Sequence, residues 1–251
     1  FFSRQIGLSG GQTIPVIAGA RVTGKAGPFD VGMLNIETGA RDSAHAPATN
    51  FTAVRLRRDI FRRSNVGVIA TSRRPSGGSA SVAMGADASI RLSANTTVLG
   101  YYARTDVAGS STQASSYRMR FSYAGDRYGV AGEHLMVEPL FAPAVGYTRR
   151  DDFRRDLATV RFSPRLEGSR HVRKLTWQAT LDYVTDSAVT TVENRSIDGS
   201  FGIEFHSGDQ AELQYADEYE RLPRNFEIAS GVTVPAGGYS NNNLNASYSL
   251  A

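Results

Sequence analysis

The sequence predicts an all-β chain: an antiparallel transmembrane β-barrel, as an incomplete segment of a larger barrel. Three observations carry that prediction. Apolar and polar residues alternate with a period of two, which puts them on opposite sides of a strand. The alternating segments number roughly a dozen and run to about 8–11 residues, the length that crosses a bilayer, whereas soluble β domains favour about 5–6. No stretch approaches the roughly 20 apolar residues of a spanning helix, and a transmembrane barrel does not need one.

The clearest alternation lies between Val172 and Tyr219. Leu175, Trp177, Ala179, Leu181 and Tyr183 interleave with Thr176, Gln178, Thr180 and Asp182. Ile197, Gly199, Phe201, Ile203 and Phe205 interleave with Ser196, Asp198, Ser200, Gly202, Glu204 and His206. Ala211, Leu213 and Tyr215 interleave with Gln210, Glu212 and Gln214. Three such segments in succession predict antiparallel strands joined by tight turns.

Along the rest of the chain, residues 5–12 read as a glycine-rich loop, and Pro15 disfavours a strand start before about Ala20. Lys25 to Pro28 is a turn, and Phe29 to Thr38 a strand. Gly39 to Thr49 reads as a loop, Phe51 to Arg58 as a strand, and Arg58 to Asn65 as a polar connection. Strands follow from Val66, over Ala80 to Leu92 with a break near Gly85, and over Thr97 to Thr105. Asp106 to Ser116 reads as a loop, then Tyr117 to Tyr123 and Tyr128 to Met136 as strands about a turn at Gly125-Asp126. Residues 138–156 are expected to be strand-free, with a short helix over Asp151 to Leu157. Strands return over Leu157 to Phe162, through the trio above, and over Tyr239 to Ala251 after a proline-marked connection from Arg221 to Gly238. The chain opens Phe1-Phe2-Ser3-Arg4 without a signal peptide or Met, and its end still alternates, so the strand series is expected to continue further.

Composition narrows the function classes. The 251 residues carry a net charge of +4, a pI of about 9.5, 41% hydrophobic residues and a mean hydropathy of -0.29. With no Cys there is no disulfide framework, thiolate chemistry or cysteine metal site. The arginines are spread along strands with acids nearby, not gathered in one patch, which argues against nucleic acid. His45, His134, His171 and His206 have no metal-ligand spacing, and no glycine run makes a phosphate loop, so neither metal nor cofactor is expected.

Several ordered stretches also carry a resemblance: Phe1 to Gly7, Ile14 to Lys25, Val31 to Asn35, Asn50 to Ile60, Arg63 to Gly67, Gly85 to Asp87 and Phe141 to Arg149. Together they resemble the bacterial domain-of-unknown-function family 5916. The resemblance implies an outer-membrane β-barrel region, longer than this chain, that commonly follows a module similar to a family-9 carbohydrate-binding domain. It supplies no catalytic residues.

The charged strand residues sharpen the expected orientation. Arg55 and Arg57 share one strand face, and Arg118 and Arg120 another. A charge on the lipid side near the midplane costs roughly 2–4 kcal/mol, so these four are assigned to a lumen or to wall-buttressing ion pairs. Asp182, Glu204 and Glu212 are assigned to the same wet side. Leu175, Trp177, Leu181, Phe201, Ile203 and Phe205 are assigned to lipid. Tyr101, Tyr102, Tyr123, Tyr128, Tyr147 and Tyr183 lie near strand ends, as interface girdles do.

The expected function is a pore, transport or anchoring role in the bacterial outer membrane. The expected partners are outer-membrane lipid, carbohydrate and an envelope protein. Three alternatives stand beside it. One is an envelope glycan-processing enzyme using acids such as Glu204 and Glu212, since glycoside hydrolysis needs two carboxyls about 5–9 Å apart. The others are a soluble β-sandwich, which would bury the odd side of residues 175–183, and a structural subunit of a larger membrane assembly.

Overall fold

A computed structural model of the chain describes Ser3, residues 6–107 and residues 113–251. Thirteen strands form one antiparallel sheet, and chain neighbours are sheet neighbours from end to end. They are β3 (Val16–Ala26), β4 (Phe29–Thr38), β5 (Thr49–Ile60), β6 (Ser64–Pro75), β7 (Ser81–Arg91), β8 (Thr96–Val107), β9 (Gln113–Ala124), β10 (Tyr128–Val137), β11 (Phe153–Phe162), β12 (Val172–Thr185), β13 (Val192–Phe205), β14 (Gln210–Leu222) and β17 (Gly237–Ser249). Two small ribbons stand apart: β1 (Leu8–Ser9) with β2 (Gln12–Thr13), and β15 (Phe226–Ala229) with β16 (Val232–Val234). Among the described residues no second sheet packs against the large one, and β3 and β17 are its two edges.

The observed strands reach further than the alternation alone suggested. Pro15 precedes β3 without delaying it, because the strand's first residue is already beyond the ring and the strand lies at an edge. β5 runs on to Ile60, leaving only residues 61–63 to turn, with Phe61 and Arg63 at positive φ. Gly85 does not break β7, since it stands in register opposite Ile69. The expected helix over Asp151 to Leu157 is absent. Phe153–Phe162 is a strand instead, because its alternation is in register with β12 from Arg154 opposite Thr185 to Phe162 opposite Trp177. The strand-free stretch therefore ends at residue 152. Of the loop expected over Asp106 to Ser116, its ends belong to β8 and β9, and residues 108–112 lie outside the described residues.

Connections alternate between the sheet's two ends and differ in length. Residues 27–28, 61–63, 92–95, 125–127 and 206–209 turn tightly at one end, with 163–171 the one longer connection there. Residues 39–48, 138–152 and 223–236 make the long connections at the other end.

By contact density the chain divides into two compact units. One is Phe1–Arg91 with Val98–Met119 and Met136–Asp152; the other is Leu92–Thr97 with Arg120–Leu135 and Phe153–Ala251. The first holds the small buried core of Ile14, Phe51, Ala53, Ala114, Val137, Phe141 and Val145. Phe141 and Val145 come from the 138–152 connection, which is tied to β9 by the N–H of Glu138 on the Ser115 carbonyl at 3.0 Å. The N–H of Ser115 in turn reaches the Glu138 carboxylate at 2.6 Å.

One close strand contact depends on a missing side chain. A Cβ on Gly100 would lie 2.8 Å from the Arg118 carbonyl oxygen, a backbone atom that cannot swing away. Gly100→Ala is therefore expected to destabilise the folded chain by about 1–3 kcal/mol through overpacking, read as a lower thermal midpoint by circular dichroism.

Candidate functional site: the two faces of the sheet

Residues directly opposite in an antiparallel pair project to the same side, so the register sorts every side chain in the paired strands. In the first unit, Val22, Met33, Val54, Ala70 and Met84 form one row across β3–β7. Val31, Leu56, Val68 and Ala86 form the next. On the opposite side, Lys25, Asp30, Arg57, Gly67 and Asp87 form a row of alternating charge. Arg57 reaches Asp30 at 2.9 Å, and Lys25 lies 3.6 Å from the same carboxylate. Arg55, one row along, makes a bidentate pair with Asp87, its second bond at 2.8 Å. It does so by crossing Gly67, where a Cβ would come within 2.6 Å of the guanidinium.

The second unit repeats the division. Phe162, Trp177, Phe201, Leu213 and Ala246 form one row, and Val160, Ala179, Gly199, Tyr215 and Leu244 another. Leu175, Ile203, Ala211 and Tyr248 continue that face, and Phe205 joins it through a ring contact with Tyr248 at 6.3 Å. The opposite face carries Asp182, Ser196, Glu218 and Asn241, then Thr180, Asp198 and Asn243, then Gln178, Ser200, Gln214 and Asn245. Arg155 binds Asp182 through two bonds of 2.8 and 2.5 Å. Arg120 lies 3.8 Å from Glu133, whose side chain is only 5% exposed.

By register and contact, the residues named from the sequence divide between the two faces of the sheet. Arg55, Arg57, Asp182, Glu204 and Glu212 lie on the polar face by register, and Arg120 by its contact with Glu133. Arg118 shares a side with Ser116 by alternation, and Ser116 meets the Tyr101 hydroxyl at 3.1 Å. Leu175, Trp177, Leu181, Phe201, Ile203 and Phe205 lie together on the apolar face. Glu204 and Glu212 stand in staggered register on neighbouring strands, and Glu204 pairs with Arg173 at 2.9 Å. Among the described residues, no group of three or more His, Asp or Glu is arranged to hold a metal ion.

Sequence reasoning named the arginines but missed their acids, namely Asp30, Asp87 and Glu133. It also missed an aromatic rank. Tyr128, Phe162, Trp177 and Phe201 stack in series across four neighbouring strands, with centroids 5.3, 5.7 and 5.2 Å apart. Arg127 lies over Tyr128 and Phe162 at 5.5 and 5.4 Å, from the tight turn 125–127. Tyr101, by contrast, faces the polar side through its bond to Ser116, and Tyr147 belongs to the 138–152 connection.

Polar clusters also bound the apolar face at the end carrying the long connections. In the first unit the Asn35 amide donates to Asn50 and to Thr52 at 3.1 and 2.8 Å, and Asn50 donates to Glu37 at 2.8 Å. In the second, Arg195 pairs with Asp217 at 2.8 Å, and Asp156 joins His134 at 2.6 Å and Arg154 at 2.8 Å. Between Phe205 and Ile197 the apolar band of β13 extends about 26 Å along the strand.

Exposure runs opposite to the habit of a water-soluble fold. Val22, Met84, Met119 and Leu244 are 65%, 61%, 61% and 68% exposed. The carboxylates Asp30, Asp87 and Asp182 are 30%, 33% and 29% exposed. Among these residues the carboxylates are the more sheltered and the apolar side chains the more open.

At the tight-turn end, Asp126 accepts two bonds from Arg165 at 2.9 and 3.0 Å. The guanidinium holds the Asp126 carboxyl below the usual aspartate range. A carboxyl depressed by folding contributes stability above its unfolded value of about 3.9, and that contribution is lost as pH falls through the lower folded value. The Asp126 carboxyl carbon should therefore titrate below about 3.9 by NMR, and Arg165→Gln should move it back toward that value, with Lys174 and Arg161 still holding it down. For the more sheltered pair, Arg55→Met alone should cost roughly 1–3 kcal/mol, between the exposed and buried limits, by stranding Asp87. The double change Arg55→Met with Asp87→Leu should cost less in the same denaturation measurement. Comparison with protein-family models, curated proteins and solved structures finds no match for this chain.

Proposed function

We propose that the chain forms wall of a transmembrane β-barrel in the bacterial outer membrane, its apolar face against lipid and its charged face lining a hydrated interior. One observation carries this reading: the exposed large apolar side chains gather on one side of the sheet, while the cross-strand pairs Arg55–Asp87, Arg57–Asp30 and Arg155–Asp182 gather on the other. A sheet with no second layer must have that apolar face covered by something other than water. Lipid suits it. Tilted by about 40°, the 26 Å band would cover about 20 Å of membrane depth, near the roughly 25 Å belt of such barrels in a thinner-than-average membrane. The aromatic rank with Arg127 above it has the composition of an interface girdle.

In lipid no strand edge can stay unpaired. On this reading each of the edge strands β3 and β17 takes a partner strand. The role is passage or anchoring, and the amides and hydroxyls on β12–β17, with the carboxylates Asp198 and Glu212 among them, offer a polar, acidic lining that a hydrated solute or glycan can pass. A shallow recess there of about 310 Å³ is lined by Gln178, Thr180, Ser200, Gln214, Asn243 and Asn245 among others. The motif resemblance to the outer-membrane region of family 5916 supports the same reading and associates it with a carbohydrate-binding partner module in the envelope.

Trp177 is the only tryptophan of the chain, and so reports its own depth. In bilayers containing brominated lipids its fluorescence should be quenched, more by bromines near the headgroup than by bromines near the midplane. A chain that stays in solution without detergent, with Trp177 unquenched, would overturn the proposal.

A further inference from the structure

The apolar face of the first unit is not a plain wall. A groove of about 800 Å³ crosses it. Its floor is made by small residues, Ala86, Ala88 and Gly100, and its sides by Leu56, Val68 and Met119. The small residues matter because the neighbouring strands carry bulky side chains at this level, and the difference in height is the groove. Phe29 closes one side, and Arg58 stands against it with its guanidinium carbon 5.3 Å from the ring centroid.

Arg58 is out of place on an apolar wall. It stands in register opposite Phe29 and Val66, so it belongs to the apolar face, not to the face that carries Arg55 and Arg57. Those two arginines have carboxylate partners, whereas no ion pair to Arg58 is formed among the described residues. Two residues beyond Ile60 the tight turn adds Arg62 and Arg63, both exposed and likewise without an ion pair. Phe61, just before them, is 89% exposed. Arg58 thus brings a cation without an ion pair to the edge of an apolar groove, and the turn that its strand enters adds two more. That pairing of chemistries matches a molecule with an anionic head and a hydrocarbon tail.

We propose that this groove holds an acyl chain of an anionic glycerophospholipid, whose phosphate sits on Arg58 with Arg62 and Arg63 around it. The proposal rests on the membrane reading above. The choice of lipid follows from the end of the sheet involved. Arg58 lies beside the tight turns, and short turns are the periplasmic ones in outer-membrane barrels, where the leaflet is glycerophospholipid. Cations near a membrane surface draw anionic lipid even without a groove, but screening limits that attraction to about a Debye length and gives it no preference for one wall. The groove supplies the place.

The test uses the full chain reconstituted with an equimolar mixture of phosphatidylglycerol and phosphatidylethanolamine, then extracted gently and examined by native mass spectrometry. Retained lipid should favour phosphatidylglycerol by about fivefold or more, on the scale of one well-placed arginine. Arg58→Gln should bring the ratio close to that of the bulk mixture. Ala88→Phe, which fills the floor, should lower the total lipid retained while leaving the arginines intact. Retention at the bulk ratio, or a ratio indifferent to Arg58→Gln, would overturn the proposal. So would a disulfide-linked dimer formed through Ala88→Cys in the membrane, because a second copy would then occupy the groove. Trp177 quenching on the same samples separates the two levels. Quenching with no lipid preference removes the lipid site alone, and no quenching removes the membrane reading with it.

Discussion

The structure depends on one constraint: a hydrogen-bonded antiparallel ladder forces each strand to show two faces, and among the described residues no second sheet packs against either. In a sandwich the apolar faces of two sheets cover one another. Here the large sheet has no such mate among the described residues, so its alternation divides one apolar face from one charged face. Everything else follows from holding that division across thirteen strands. A slip of one residue anywhere would move arginines to the apolar side and leucines to the polar one.

Two devices keep the register. The tight turns at residues 27–28, 61–63, 125–127 and 206–209 leave little slack. Cross-strand charge does the rest on the polar side. Lys25, Asp30 and Arg57 stand side by side in one row with signs arranged so that neighbours attract, and a two-residue slip of β5 toward its end would set Asp59 beside Asp30, like against like. Gly67 is part of this device. Its missing side chain opens the path by which Arg55 reaches Asp87 from the adjacent row. Each pair is only partly shielded, so the pairs specify alignment more than they supply stability.

The apolar side is organised by size and by ring contacts. Stacked rings from Tyr128 to Phe201 tie four strands at one level of the second unit, and Arg127 rests on them from its turn. In the first unit small residues at the same kind of position make a recess instead, with Arg58 at its edge. The contrast gives one wall a belt of rings and the other a place for a chain-like ligand. Both put guanidinium groups next to aromatic surface at the tight-turn end, which is where an amphipathic side chain can keep its head in water and its stem in an apolar layer.

Period-two alternation by itself determined the all-β class, the strand trio from Val172 onward, and which side chains of a strand share a face. That much is local, because successive side chains point opposite ways whatever the strand's neighbours are. Strand ends were less legible. β5 and β11 run past charged residues such as Arg58 and Arg154, which look like connections until their partners are known. Only the tertiary structure decided which acid meets which arginine, since the register of β5, β6 and β7 together brings Asp87 within reach of Arg55 from the adjacent row. It alone revealed the rank of rings and the groove, each assembled from residues on four or more strands. Such features depend on how strands line up side by side, and a strand's own sequence carries its face but not its neighbour's height.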